Sequence, residues 1–215
     1  SSPFWEGRDT GLQSHRSKVM EGLPTAGMPP LMRNWSEYVW LVNHMIETGF
    51  INTIREIWWD VRPHHHFGTV EVRVCDMPGN LHDTLGIAAL VQCLVKALSD
   101  EIDQGAYQHD CHPMMVRQNK WRATRYGTQA RLVDLYSYNV FTVAEEVDRL
   151  ANSLAATAAE LGCESYLNHC VALAQNLSCA ESQLAILEAT GDPTEVVRRL
   201  TAKSRVTSIA APAKT

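Results

Sequence analysis

The sequence has no apolar run long enough to span a membrane, and no signal-peptide pattern is visible in it. It also has no excess of positive charge, since 19 Lys and Arg stand against 24 Asp and Glu, a formal net charge of −5. No global field therefore attracts nucleic acid or an anionic membrane. We expect neither nucleic acid nor a membrane as a partner.

Paired cysteine motifs are also missing. None of the six cysteines forms a CxxC pair, and most occupy apolar positions of predicted helices or strands. Such settings are typical of reduced thiols in a core. We therefore predict six free thiols and a cytoplasmic location. The cysteines are Cys75, Cys93, Cys111, Cys163, Cys170 and Cys179.

Strands are scarce in a chain of 215 residues whose composition, 45% hydrophobic and 20% charged, is globular. We find one convincing strand pair, followed by many helices, and a lone hairpin is marginally stable in water. The chain also begins at Ser1 without an initiator Met. We expect an incomplete chain with a loose tail at 207–215.

The strand pair lies in REIWWDVRPHHHFGTVEVRVCDMP, and we place its strands at about 55–62 and 68–76. Side chains alternate between the two faces of a strand, so each strand has one apolar and one polar face. If the strands pair, the apolar faces coincide and a charged cluster forms on the opposite side. The predicted cluster is Asp60, Arg62, Glu71 and Arg73, with His64 to His66 at the rim, and the predicted apolar face is Ile57, Trp59, Val61, Val70, Val72 and Val74.

Two interpretations of this cluster stay open from the residues alone. It can be a solvated sheet face with cross-strand ion pairs. Alternatively, Trp58, which alternation places on the charged face, favours a partly covered cleft.

The segment WWDVRPHHHFGTVEVRVCDMP resembles the carboxylate–amine ligases of the glutamate–cysteine ligase type 2 family, in the glutamine synthetase-like superfamily. Further similar stretches are SSPFWEGRDTGLQSHRS, LPTAGMPPLMRNWSEY and NKWRATRYG. The resemblance implies an α+β fold: part of an antiparallel sheet packed by helices, with a C-terminal helical array. It also implies a longer protein, with further strands and site residues in an N-terminal half. Residues 1–206 are then expected to be the C-terminal part of a single catalytic domain.

The resemblance implies ATP and Mg²⁺ or Mn²⁺ as cofactors. An E-x-R on a core strand of this superfamily supplies a metal ligand and a phosphate contact, and Glu71 and Arg73 match it. Mg²⁺ prefers carboxylate and phosphate oxygens, which suits Glu71. Asp60 and Arg62 match the D-x-R of the neighbouring strand; Arg62 is expected to hold a substrate carboxylate or phosphate, and Asp60 to orient it.

Other candidate residues lie outside the strand pair. Residues 116–131 interleave cations with aromatics, which fits nucleic-acid binding or a helix presenting cations to an anionic active site; the acidic charge balance favours the active site. His109, Cys111 and His112 lack a second pair at zinc-site spacing, so exposed imidazoles are the favoured interpretation. The predicted cofactor-binding residues are Arg73, His66, Arg122 and Arg125, and the predicted substrate-binding residues are Arg8, Arg16 and Asn119.

Local signals predict the helices. Ser36 is expected to cap a helix that ends before Gly49, and Asn80 to cap a mostly apolar helix beneath the hairpin. Three capping-box spacings begin helices of the C-terminal array, at Thr142, Ser178 and Asp192.

We expect an ATP-dependent carboxylate–amine ligase that uses glutamate and, as a possible amine, cysteine, through an acyl phosphate. The alternatives are the same fold with another amino acid and amine pair, an inactive ligand-binding homologue, and a nucleic-acid module at 117–131. Small-molecule substrates are the expected partners, and whether the protein forms a homo-oligomer is left open.

Overall fold

The computed structural model describes residues 2–64, 66–106 and 111–205. The chain forms two compact units, one made of Ser1–His15 with Asp76–Thr215 and the other of Arg16–Cys75. Helices dominate, and the strands form small two-stranded sheets, so the predicted α+β class is confirmed. The predicted tail at 207–215 lies outside the described residues. Within the described ranges, no helix is long and apolar enough to cross a membrane.

The helices of the described chain are α1 His15–Glu21, α2 Trp35–Glu47, α3 Leu81–Asp103, α4 Pro113–Tyr126, α5 Val143–Ser153, α6 Ala155–Leu161, α7 Glu164–Gln175, α8 Cys179–Thr190 and α9 Pro193–Ser204. The strands are β1 Phe4–Trp5, β2 Arg8–Asp9, β3 Ala26–Gly27, β4 Trp58–Trp59, β5 Val61–His64, β6 Thr69–Val72, β7 Arg131–Val133 and β8 Val140–Thr142. β1–β2, β5–β6 and β7–β8 pair antiparallel, and β3–β4 pair parallel.

The core of the larger unit is built around α3. Its buried Ala89 and Cys93 pack in one cluster with residues of α5, α6 and α7. Gly86 allows the close approach of α7, because a Cβ there would lie 3.3 Å from the Tyr166 carbonyl oxygen and from the Cys170 nitrogen. The apolar side of α3 packs on the helices of its own unit. The hairpin belongs to the other unit, so the expected packing of this helix beneath it stays a prediction.

The predicted caps largely hold. The Asn80 side chain accepts from the Asp83 N–H and begins α3, and complete capping boxes start α5 at Thr142 and α8 at Ser178. At α9, Asp192 accepts from the Thr194 N–H, whereas the Glu195 carboxylate accepts from two arginines instead of closing the box. Helix α2 is capped by Asn34, not Ser36, because the Asn34 side chain accepts from the Glu37 N–H.

The predicted strand at 55–62 is divided in two by a bend. Residues 54–56 form a 3-10 turn, β4 pairs with β3, and β5 alone pairs with β6. The bend lies at Asp60, whose N–H donates to the Gly27 carbonyl (2.7 Å) and whose carbonyl accepts from the Arg73 N–H (2.7 Å). The second strand is also shorter than predicted, since β6 ends at Val72.

The bend reverses which side chains are buried. Ile57 and Trp59 belong to the core of the smaller unit, but beyond the bend Arg62 is 5% exposed while Val61 is 40% exposed. Val70 is likewise exposed. The prediction of one continuous apolar face is therefore wrong, because the alternation of a strand does not continue through a bend.

Candidate active site

Three charged side chains meet on the β5–β6 hairpin. The register places Arg62 directly opposite Glu71, so both side chains lie on the same face. Arg73 follows two residues after Glu71 and reaches the same carboxylate. We call Arg62, Glu71 and Arg73 the hairpin cluster; all three belong to the smaller unit.

Arg62 is the buried member of the cluster. Its Nη1 donates to the carbonyls of Ile54 (2.9 Å) and Ile57 (2.7 Å), and its Nη2 donates to Glu71 Oε2. Its Nε is buried without a hydrogen-bond partner among the described residues. The guanidinium thus ties the 3-10 turn to the hairpin and fixes one oxygen of Glu71.

Glu71 lies between two cations. Its Oε1 accepts from Arg73 Nη1 (2.5 Å) and its Oε2 from Arg62, yet the side chain stays 37% exposed. Partial burial acts to raise the pKa of Glu71, but the hydrogen bonds and positive charges of Arg62 and Arg73 outweigh it and lower the pKa. The carboxylate is therefore ionised at neutral pH, and part of it faces solvent.

Arg73 keeps unused donors. A guanidinium has five N–H donors, and the Arg73 side chain is 34% exposed, with Nη1 on Glu71 and Nε buried without a partner among the described residues. Its backbone is fixed, because Asp60 accepts from its N–H and Arg16 donates to its carbonyl (2.8 Å). An anion at this side chain would meet donors that are already oriented.

The structure gives two predicted residues a role in the backbone of this region. Arg16 Nη2 donates to the carbonyls of Arg73 and Cys75, both at 2.8 Å, so it holds the chain that follows β6. Asp60 binds through its main chain, and its half-buried side chain lies at the bend. His66 lies in the turn after β5, exposed, with its ring 5.2 Å from that of Phe67.

Four predicted residues, Arg8, Asn119, Arg122 and Arg125, lie in the other unit. Asn119 holds β7, since its side chain donates to the Val133 carbonyl (2.7 Å) and accepts from the Val133 N–H (3.0 Å). Arg122 donates to the Arg131 carbonyl (3.0 Å). The amide of Asn119 is thus occupied by β7, and its predicted substrate contact gains no support.

Arg125 and Arg8 are the other two predicted cations of that unit. The Arg125 guanidinium lies 5.9 Å from the centre of the Tyr126 ring, and a Cβ at Gly11 would lie 2.3 Å from its Nη1. Gly11 therefore provides the room in which Arg125 lies. Arg8 is exposed on β2.

Sequence reasoning missed one polar pair. His169 Nε2 lies 2.9 Å from Asp83 Oδ1, although the two residues are 86 positions apart. A pair between α3 and α7 leaves no local signal, so only the packing of these helices reveals it. His109, which the sequence analysis considered as a zinc ligand, lies outside the described residues. His112 accepts from the Met114 N–H at the start of α4.

The hairpin cluster fits a divalent cation that is shared with a phosphate. The described residues contain no group of three or more His, Cys, Asp or Glu side chains able to hold a metal alone. Mg²⁺ in nucleotide sites, however, takes one or two carboxylates and completes its shell with phosphate oxygens and water. Glu71 offers one ionised, partly exposed carboxylate, and Arg73 offers donors to a phosphate beside it.

Comparison with known proteins gives the family. Residues 1–202 match the model of the glutamate-cysteine ligase family 2 (GCS2). A Gloeobacter violaceus protein named "Putative glutamate--cysteine ligase 2" is 44% identical over 167 residues, 78% of this chain and 45% of the relative. A Frankia casuarinae protein named "Putative glutamate--cysteine ligase 2-1" is 40% identical over 201 residues, 93% of this chain and 53% of the relative.

The chain therefore belongs to glutamate-cysteine ligase family 2, and the resemblance found in its motifs is confirmed. It spans about half the length of the curated relatives that it matches.

Proposed function

We propose that this chain contributes the hairpin cluster to an ATP-dependent carboxylate–amine ligase, with glutamate as the carboxyl donor and cysteine as a possible amine. The observation that carries the proposal is Glu71, an ionised carboxylate held by two arginines on one hairpin face, in a chain of a ligase family.

Amide formation from a carboxylate requires activation, because a carboxylate is a poor electrophile. In the proposed reaction a carboxylate oxygen attacks the γ-phosphorus of ATP, the bond to ADP breaks, and an acyl phosphate forms. The amine nitrogen then attacks the acyl carbon, phosphate leaves with the former carboxylate oxygen, and the amine loses a proton. Catalysis of phosphoryl transfer is mainly positioning and charge neutralisation.

The structure supports different roles for the three members of the cluster. Glu71 is the ligand for Mg²⁺ or Mn²⁺, which when bound neutralises phosphate charge. Arg73 is the phosphate contact, because its unused donors are oriented and one-third of its side chain is exposed. Arg62 is buried and donates to two carbonyls and to Glu71, so we assign it the role of positioning Glu71 in place of the predicted contact with substrate.

The remaining predicted contacts stay predictions. Arg125 and Arg8 remain proposed anion contacts, and the exposed His66 remains a proposed phosphate contact. Asp60 is proposed to keep Arg73 in place through its main-chain bond. A cytoplasmic location belongs to the same proposal.

The decisive experiment traces oxygen from the carboxylate of glutamate to inorganic phosphate. The protein is mixed with the portion of the Gloeobacter relative that this chain does not match, and ATP, Mg²⁺, cysteine and glutamate labelled with ¹⁸O in its carboxylates are added. An acyl phosphate transfers one label to inorganic phosphate. Phosphate released without label would refute the mechanism, and label transfer with another amine alone would establish the alternative substrate pair.

Turnover should require both polypeptides. The hairpin cluster offers one carboxylate, whereas a site that neutralises a triphosphate with more than one divalent ion needs others. We therefore expect this 215-residue chain to form no acyl phosphate by itself. Label transfer by the chain alone would contradict that expectation. ATP binding without turnover by the mixture would favour an inactive homologue, the second candidate.

A further inference from the structure

The segment that follows β6 carries Arg73 and is bonded through both its N–H groups and its carbonyls. The Asp60 carbonyl accepts from the N–H groups of Arg73 (2.7 Å) and Val74 (3.1 Å). Arg16 Nη2 donates to the carbonyls of Arg73 and Cys75, both at 2.8 Å. All of these residues belong to the smaller unit. Because the N–H and the carbonyl of a trans peptide point in opposite directions, the peptide group between Arg73 and Val74 is held on two sides.

The two contacts constrain the segment in different ways. Both bonds to Asp60 end on one oxygen atom, and two bonds that converge on a single atom fix a distance but permit rotation about that atom. Arg16 binds two carbonyls that lie two residues apart, so it prevents the rotation that Asp60 permits. A guanidinium suits this task because its N–H groups lie in one plane with fixed directions. Its charge also makes each of these hydrogen bonds stronger than a neutral one.

The direction of the Arg73 side chain depends on this backbone. Arg73 lies beyond Val72, the last residue of β6, so the ladder of the hairpin does not orient it. Its Nη1 donates to Glu71 Oε1 (2.5 Å), and 34% of its side chain is exposed. Glu71 thus holds one nitrogen of the guanidinium, and the remaining donors keep their direction only while the main chain of Arg73 is fixed.

We infer that Arg16 is a positioning residue for Arg73: it fixes the main chain of residues 73–75 and thereby directs the guanidinium of Arg73. We assign it this role in place of the predicted contact with substrate, because its Nη2 is occupied by two main-chain carbonyls. That Arg16 holds Arg73 is a statement about this chain alone. Its consequence for catalysis rests on the proposed function, in which Arg73 contacts a phosphate.

Arg16→Lys tests the inference because it keeps the positive charge and removes the planar fork. The lysine side chain is shorter by one atom and ends in a flexible ammonium. Nitrogen-15 NMR of the side-chain Nε–H groups follows single arginines, and the signal that is missing from Arg73→Lys belongs to Arg73. This group should be rigid in the natural chain. In Arg16→Lys its order parameter should fall below about 0.6, whereas that of the buried Arg62 should stay high.

A second variant and a matched control accompany this measurement. Arg16→Gln keeps a planar nitrogen with two N–H donors but is shorter and uncharged, so it should also release Arg73. Arg33→Lys makes the same change as Arg16→Lys in the same unit, at a side chain that is 86% exposed, and should leave Arg73 rigid. Circular dichroism identifies the variants that fold. An Arg73 side chain that stays rigid in either folded variant of Arg16, or that becomes equally mobile in Arg33→Lys, overturns the inference, whatever the activity of the protein.

Turnover by the mixture with the unmatched portion of the Gloeobacter relative gives a second test. Arg16→Lys should lower kcat about tenfold and leave the KM for glutamate nearly unchanged, because Arg16 contacts the main chain of Arg73 and not the substrate. The losses from Arg16→Lys and Arg73→Lys should not add, so the double variant should lie within about twofold of Arg73→Lys alone.

The possible kinetic results separate positioning from other roles. Additive losses would mean that Arg16 acts independently of Arg73, and a raised KM for glutamate with an unchanged kcat would mean that Arg16 binds substrate. Either result overturns the positioning role. If the mixture of natural sequences shows no turnover, the proposed function fails, and the NMR measurement alone decides whether Arg16 holds Arg73.

Discussion

Replacing Glu71 with Gln tests the hairpin cluster most directly. The amide keeps the shape of the side chain and one acceptor oxygen but loses the negative charge. Arg62, which is 5% exposed, would then keep its two carbonyl partners and lose its only counter-charge among the contacts of the cluster. Arg73 would lose the same partner.

The size of the effect follows from burial. A hydrogen bond to a charged partner contributes about 1.5–3 kcal/mol when it is well buried. Solvent reduces this here, because the Glu71 side chain is 37% exposed and the amide still accepts one bond. We expect Glu71→Gln to lower the free energy of unfolding by about 2 kcal/mol at neutral pH.

The free energy of unfolding that Glu71→Gln removes should depend on pH. Partial burial would raise the pKa of Glu71, but the bonds and charges from Arg62 and Arg73 lower it in the folded protein. A group with a depressed folded pKa contributes stability above its unfolded pKa, about 4.3 for Glu, and loses it as the pH falls through the folded pKa. The difference between the natural protein and the variant should therefore be largest near pH 7 and should shrink in acid.

Urea unfolding followed by circular dichroism, from pH 7 down to pH 3, measures both effects. Glu146→Gln is the matched control, because it makes the same chemical change in an i,i+3 pair on α5 whose arginine, Arg149, is 63% exposed, whereas Arg62 is buried. It should cost under about 0.5 kcal/mol. If Glu71→Gln costs no more than this control, or if its cost is the same in acid, the carboxylate is not held as described. In the assembled enzyme the same variant should abolish turnover, and normal activity with unchanged metal dependence would refute the metal-ligand role.

Three further predictions concern other parts of the chain. Arg73→Lys should lower kcat at least ~10-fold and change ATP affinity less, because an ammonium cannot engage two phosphate oxygens in a fixed fork; equal losses would limit Arg73 to ground-state binding. All six cysteines should react with an alkylating reagent after unfolding without reductant. This includes Cys93 and Cys163, whose sulfurs lie 3.5 Å apart, and burial raises the pKa of the Cys93 thiol to about 11. A mass showing fewer than six adducts would contradict this prediction. Gly11→Ala should cost about 1 kcal/mol from its positive φ and also displace Arg125, weakening ATP binding. Gly105→Ala, with a positive φ and no atom of the described residues within 4 Å of its Cβ, should show the strain alone.

The local signals of this sequence predict local structure well. Asn80, Thr142 and Ser178 begin helices as their side chains indicate, because a cap is formed within four residues of its own helix. The bend at Asp60 could not be found in this way. It depends on bonds to Gly27 and Arg73, which lie 33 and 13 residues away along the chain.

The charged cluster was also predicted only in part, because some of its bonds join residues that are distant in the sequence. Alternation around Glu71 and Arg73 places them on one side of β6, and the structure brings them together with Arg62. The burial of Arg62 and the backbone bonds of Arg16 and Asn119 were not predicted, because a guanidinium or an amide that binds a distant carbonyl has no sequence pattern of its own.

The bend at Asp60 has a consequence for how this region can vary. Three contacts of Asp60 run through its main chain: its N–H donates to the Gly27 carbonyl, and its own carbonyl accepts from the N–H groups of Arg73 (2.7 Å) and Val74 (3.1 Å). Any residue except proline supplies the same N–H and carbonyl. A change of side chain at this position therefore alters the local chemistry and leaves these main-chain bonds available. Replacing the backbone amide with an ester, which removes the N–H alone, would break the bond to Gly27 and leave every side chain unchanged.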